Sequence, residues 1–131
     1  MFGSGRRKLP FSRTELLMAG PPPEGKYTWR VKSADVSMGG NGDERLEVDL
    51  VIDEGPEAGR TIRMYYGFTP NQREALAQLF DASGAIDEAD EELDARVLEG
   101  KTFNAELTHE VGGDGKKWPR LYNLEHIGTK R

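Results

Sequence analysis

Alternation of apolar and polar residues, repeated in five segments, most constrains what this 131-residue chain can fold into. The clearest case is the segment 45–53, where Leu46, Val48, Leu50 and Ile52 alternate with charged or polar positions over most of its length. Because successive side chains of a β-strand point to opposite faces, this period of two predicts a strand with one buried face. The same argument predicts strands at 26–36, 45–53, 60–68, 101–111 and 118–127.

Between the third and fourth predicted strands the period changes to that of a helix. Thr69 and Pro70 suit a helix cap and its first position, and Gly84 suits its end. The apolar residues between them recur at helical spacing and predict a stripe that faces the core: Ala75, Leu76, Leu79 and Phe80. A capping-box spacing at 12–15 predicts a further short helical turn.

The predicted order is three strands, one helix and two strands, with glycine-rich turns at 37–44, 54–59 and 112–115. That order is the layout of the five-stranded OB-fold barrel, an all-β architecture with a helix between strands three and four. We therefore expect a basic, flexible N-terminal arm at 1–22, an OB-fold domain at 23–128 and a basic C-terminal end at 129–131.

Charge is segregated along the chain although the net value is only −5. Both ends are rich in lysine and arginine, whereas the middle, above all 81–99, is acidic. One interpretation is an unevenly charged, solvated surface. The other is a polyanion-binding face that the two ends build, with the acidic segment kept away from it.

No motif in the sequence indicates catalysis, a metal or a cofactor. The chain has no cysteine, which excludes thiolate zinc sites and cysteine nucleophiles. His109 and His126 are its only histidines, and their spacing is not that of a zinc site. We therefore predict a binding protein that is not an enzyme; a magnesium-dependent nuclease that uses Asp and Glu is the weaker alternative.

Single-stranded nucleic acid requires cations that follow its phosphates and flat side chains on which its bases stack. The outer faces of the first and third predicted strands and the last hairpin offer both. The candidate binding residues are Arg30, Lys32, Arg63, Tyr65, Lys116, Lys117, Trp118, Arg120 and Tyr122.

Several of these residues have structural alternatives. Trp29 is expected in the core, and Trp118 suits stacking and packing equally. Arg30 and Lys32 would also protect a strand edge from aggregation. Carboxylates at Glu47 and Asp49 on the outer face of the second strand would repel phosphate, so either the DNA avoids that strand or Arg45 and Arg63 neutralise it.

Five short stretches resemble a known family: 24–27 (EGKY), 46–50 (LEVDL), 54–60 (EGPEAGR), 100–103 (GKTF) and Asn123. Together they resemble small phage-type single-stranded-DNA-binding proteins, which are often catalogued only as a domain of unknown function. The resemblance covers about 23–127. It implies an OB fold and sequence-tolerant binding of single-stranded DNA in replication, recombination or repair.

The lack of cysteine fits a cytoplasmic protein, in the bacterial host cell if the chain is phage-encoded, and no apolar run approaches the ~20 residues of a membrane span. We expect a monomer or homodimer that binds single-stranded DNA and no membrane, with replication or recombination proteins as further partners. The proteins that the chain resembles commonly end in an acidic tail that recruits partners, whereas this chain ends in Lys130 and Arg131. The competing hypothesis is a non-catalytic protein-interaction module, such as a phage accessory or structural protein. It is motivated by the negative net charge and the acidic second strand.

Overall fold

The computed structural model describes residues 7–17, 19–89 and 91–127. Its strands are β1 (Gly25–Met38), β2 (Glu44–Ile52), β3 (Thr61–Gly67), β4 (Thr102–Val111) and β5 (Lys117–His126), and its α-helices are α1 (Arg13–Leu17) and α2 (Arg73–Ala82). All five predicted strands are confirmed, and none of their ends is misplaced by more than about two residues, the usual uncertainty of such boundaries. The predicted C-terminal end and the first six residues of the predicted arm lie outside the described residues.

The strands form one antiparallel sheet in the order β3-β2-β1-β4-β5. Within the described residues no hydrogen-bonded ladder joins β3 to β5, so the sheet is open and the predicted closed barrel is not confirmed. The edge strand β5 has two irregularities. Pro119 lacks an amide hydrogen, and Asn123 has a φ of 54° beside a shift in register against β4.

A β-bulge divides the longest strand, β1. Val31 pairs with Leu50 and Ser33 pairs with Asp49, which leaves Lys32 as the extra residue. Before the bulge Trp29 and Val31 point inward, whereas after it the inward residue is Ala34. The bulge therefore changes which positions of β1 face the core.

The core lies between one face of the sheet and α2. Trp29 is 0 % exposed, and its indole Nε1 donates a hydrogen bond to the carbonyl oxygen of Ala105 at 3.2 Å. The predicted inward residues of β2, β3 and β4 are buried around it, and so are Leu79 and Phe80 of α2. The expectation that Trp29 belongs to the core is confirmed.

The helix α2 begins three residues later than predicted, at Arg73. Thr69 makes no side-chain cap, and the amide of Gln72 donates to the Thr69 carbonyl, which closes a 3₁₀ turn over Pro70–Gln72 instead. Its C-terminal end is close to the prediction, since Gly84 follows two residues later with a φ of 80°. None of the helices in the described part of the chain combines the length and apolar character that crossing a bilayer requires.

The segment before β1 is tied to the sheet by main-chain carbonyls. The Arg60 guanidinium donates to the carbonyls of Leu17 and Pro21, at 3.0 and 3.2 Å. His109 Nε2 lies 2.7 Å from the carbonyl oxygen of Pro22, which is buried. Upstream, Ser12 and Glu15 form the predicted capping box of α1.

Candidate nucleic-acid interface

A groove lies between β3 and β5, the two unpaired edges of the sheet. It consists of two adjoining cavities of about 640 and 540 Å³. Tyr65 and Trp118 line both cavities and therefore lie near the middle of the groove. One end is walled by the prolines at 21–23 and by Lys117, and the other by α2.

On the β3 side, an arginine from the neighbouring strand covers an aromatic ring. The Arg45 guanidinium carbon lies 3.7 Å from the centre of the Tyr65 ring. Arg45 pairs with Gly67 across the β2–β3 ladder, so Tyr65 is its diagonal neighbour on the same face. Among the described residues Arg45 forms no ion pair, so its charge stays available to an anionic ligand.

On the β5 side, Trp118, Arg120 and Tyr122 share one face because they alternate along the strand. Trp118 is 46 % exposed and the Arg120 guanidinium carbon lies 5.7 Å from the centre of the Tyr122 ring. Glu110 of β4 accepts a hydrogen bond from the Tyr122 hydroxyl, which raises the pKa of that tyrosine. The same carboxylate lies 3.6 Å from Arg120, so it offsets part of that arginine's charge.

Arg63 of β3 forms ion pairs with both carboxylates on the acidic outer face of β2. Arg63 Nε lies 2.7 Å from Asp49 and 3.6 Å from Glu47, and Nη2 donates a second hydrogen bond to Asp49. The bond from Arg63 holds the pKa of the Asp49 carboxyl below its usual range. Of the two alternatives for these carboxylates, neutralisation by Arg63 is present in the structure, while Arg45 lies on Tyr65 instead.

Six of the nine sequence-predicted residues line the groove and three do not. Five of them line the larger cavity together: Arg63, Tyr65, Trp118, Arg120 and Tyr122. Lys117 lines the proline end of the groove, and Lys116 is exposed at the hairpin tip. Arg30 and Lys32 line neither cavity, since Arg30 pairs with Asp53 at 3.0 Å and Lys32 occupies the bulge beside Asp49.

Two contributors to the groove were not predicted as binding residues. Arg45 was considered only as a neutralising charge, and its contact with Tyr65 depends on the β2–β3 register, which the hairpin turn sets. The proline wall depends on the buried Pro22 and its contact with His109, residues 87 positions apart in the sequence. No local pattern encodes such a contact.

The arginines of the larger cavity differ in how far their charge is offset: Arg63 is paired with Asp49 and Glu47, Arg120 in part with Glu110, and Arg45 with no carboxylate of the described residues. Arg45, Arg63 and Arg120 line this cavity, and Glu74 of α2 is its one acidic lining residue. Within the described residues no three His, Asp or Glu side chains converge as a potential metal-binding group. The groove thus provides both cations and aromatic faces. These groups are complementary to a polyanion that carries flat rings.

No protein-family model matches the chain, and a comparison with curated proteins finds no match.

Proposed function

We propose that this chain is an OB-type protein that binds single-stranded DNA in the groove between β3 and β5. Bases stack on Trp118 and on the neighbouring tyrosines, and phosphates contact Arg45, Arg120 and Lys117. The strand order and the helix between β3 and β4 support the OB assignment, with the β3–β5 seam left open. Sequence-tolerant binding follows because every base has a face that can stack.

The observation that carries this proposal is the position of Trp118. An indole that is nearly half exposed lies in a cavity lined by three arginines, rather than in the core with Trp29. A single exposed aromatic side chain is common on protein surfaces, but an indole face beside cations is what unpaired bases and their phosphates require.

The test is a fluorescence titration with oligo-dT of 20–30 nucleotides, an assay length of roughly two OB site sizes. Trp118 should be quenched while buried Trp29 is not, so about half of the tryptophan signal should respond to saturating DNA. Affinity should fall linearly on a log–log plot against salt concentration, because phosphate contacts release counterions.

Duplex DNA of the same length is the control, since its bases are not available for stacking. Absence of binding to oligo-dT at low salt would overturn the proposal. Binding in which the Trp118→Ala variant retains full affinity would remove the groove from the site, even if the protein does bind DNA.

A second function is favoured by the two unpaired strand edges that flank the groove. An extended peptide could add to either edge through main-chain hydrogen bonds, which is a recurring mode of peptide recognition. A stable complex with a protein, together with no binding of nucleic acid, would favour this interaction module over the DNA-binding function.

A further inference from the structure

A further cavity, which shares no lining residue with the two cavities of the groove, is almost wholly apolar. It has a volume of about 460 Å³ and lies between the end of β3, α2 and the segment 86–95. Phe68, Ile86 and Leu93 line it and remain substantially exposed, with Leu93 at 57 %. Soluble monomers seldom leave grouped apolar side chains open to water unless something covers them.

Acidic residues flank this apolar cavity. Asp87 follows Ile86, and Glu91 and Glu92 precede Leu93, so they lie next to cavity residues in the sequence. All three are exposed, and among the described residues none of them forms an ion pair, whereas Glu88 is paired with Lys101. Arg73 is the one basic residue in the cavity lining.

The part of the N-terminal arm from residue 7 to residue 17 has the opposite character. Its apolar side chains are exposed, with Leu9 at 69 % and Phe11 at 56 %, and no residue of α1 is buried. Arg7, Lys8 and Arg13 are interspersed with them. The arm therefore combines unburied apolar side chains with positive charge, which complements an apolar cavity with acidic flanks.

We propose that the N-terminal arm of one molecule docks into the apolar cavity of a second copy of this chain. Phe11 and Leu9 enter the cavity, and the basic residues of the arm lie against Asp87, Glu91 and Glu92. Burial of the apolar anchors supplies affinity, while the opposite charges orient the arm and accelerate association.

The occupant is a second copy because the arm of each molecule is held away from its own cavity, with Leu9 and Phe11 exposed. Arg60, just before β3, holds the Leu17 carbonyl, whereas Phe68 of the cavity follows the other end of β3. Seven strand residues separate these points by roughly 20 Å or more. With α1 intact, the path from Leu17 back to Phe11 spans about 13 Å and the path back to Leu9 about 20 Å, from the rise per helical and extended residue, so Phe11 falls short of its own cavity.

Arm and cavity are different surfaces, so copies can join reciprocally as a two-fold pair or in sequence as a ring or open chain. The contact does not involve the groove between β3 and β5. It is therefore independent of the proposed DNA binding, and either can fail without the other.

The first test is sedimentation velocity on the full chain at several concentrations. Wild type should associate, more strongly at low salt, while Phe11→Glu in the arm and Leu93→Lys in the cavity should each weaken association roughly ten-fold or more, the loss expected for one buried anchor. An equimolar mixture of the two variants should form a dimer and nothing larger, because each partner keeps one working half of the contact. Val111→Lys, a charge placed on an exposed apolar residue outside the cavity, is the matched control and should associate like wild type.

The second test uses the absence of cysteine in the natural chain. Phe11→Cys and Leu93→Cys proteins, mixed and treated with a short bismaleimide, should give a covalent heterodimer, and Val111→Cys in place of Leu93→Cys should not. Wild type that stays monomeric at every concentration and salt, or variants that associate like wild type, would overturn the proposal. So would a double-cysteine protein that cross-links only within one molecule.

Discussion

Arg45 and Tyr65 sit on adjacent strands with the guanidinium carbon 3.7 Å from the centre of the ring. A contact this close restricts both side chains, so the ring and the charge are held in place before any ligand arrives. Groups that are already ordered lose less conformational entropy on binding. The β3 wall of the groove is therefore preorganised for binding. On the opposite wall, the Trp118 side chain is more exposed than that of Tyr65.

Removing the Trp118 indole should weaken oligo-dT binding without unfolding the protein. Base–aromatic stacking contributes about 1–3 kcal/mol per base, so Trp118→Ala should raise Kd by roughly five- to 150-fold. Trp118→Phe should recover part of the loss, because a flat ring remains. Fluorescence anisotropy of a labelled oligonucleotide is the measurement, and Val111→Ala, at another exposed apolar position of the last hairpin, serves as the control.

Neutralising a groove arginine should change the salt dependence of binding as well as its strength. Arg120→Gln should reduce the slope of log K against log salt by about 0.7 if the residue contacts one phosphate of a single strand. Arg30→Gln is the matched control, since Arg30 pairs with Asp53 and lies outside the groove. Equal slopes for the two variants would show that Arg120 makes no phosphate contact.

The pair between Asp49 and Arg63 predicts a specific loss of stability in acid. Arg63 lowers the pKa of Asp49 in the folded protein below its ordinary value of 3.8. The folded state therefore binds the proton less readily than the unfolded state, and the stabilisation is complete above about pH 4 and lost as pH falls through the folded pKa. Urea unfolding at pH 7 and pH 3 should show a smaller acid-induced loss for Asp49→Asn than for wild type. An identical loss in both proteins would contradict this assignment.

Replacement of the two tryptophans by alanine should change the free energy of unfolding by very different amounts. Trp29→Ala should cost about 3–5 kcal/mol in the free energy of unfolding, because it opens a cavity and leaves the Ala105 carbonyl without its donor. Trp118→Ala should change stability by less than about 0.5 kcal/mol, as exposed substitutions usually do. Denaturant unfolding followed by circular dichroism measures both, and a large destabilisation by Trp118→Ala would mean that this residue packs rather than binds.

The strands could be predicted from sequence because each has one buried face, so alternation survives in the residues themselves. The start of β2 illustrates this, since Leu46, Val48 and Leu50 are buried while Glu47 and Asp49 between them are not; the alternation ends at Val51, which is buried beside Leu50 and Ile52. The start of α2 could not be placed as well, because Thr69 and Pro70 suit either a helix cap or a 3₁₀ turn. Closure of the sheet could not be predicted either. It depends on main-chain hydrogen bonds between β3 and β5, and the alternation of side chains carries no information about those bonds.

The candidate site was predictable in its chemistry but not in its geometry. The hairpin cluster of Trp118, Arg120 and Tyr122 is local, so the sequence shows it directly. Arg30 is also a cation on an outer strand face, yet its charge is bound to Asp53, 23 residues away. Whether a surface cation is free depends on such long-range partners, which charge patterning along the chain does not reveal.

The bulge at Lys32 determines which residues in the second half of β1 face the core. Upstream of it, odd-numbered residues face the core, and downstream the even-numbered Ala34 does so, because one extra residue is accommodated at this point. Replacing Lys32 alters one surface charge. Deleting it would remove the bulge instead: Val31, Ser33 and Ala34 would alternate regularly opposite Leu50, Asp49 and Val48, and Ala34 would still face the core. The strand therefore tolerates at this one position a loss that would exchange its two faces elsewhere.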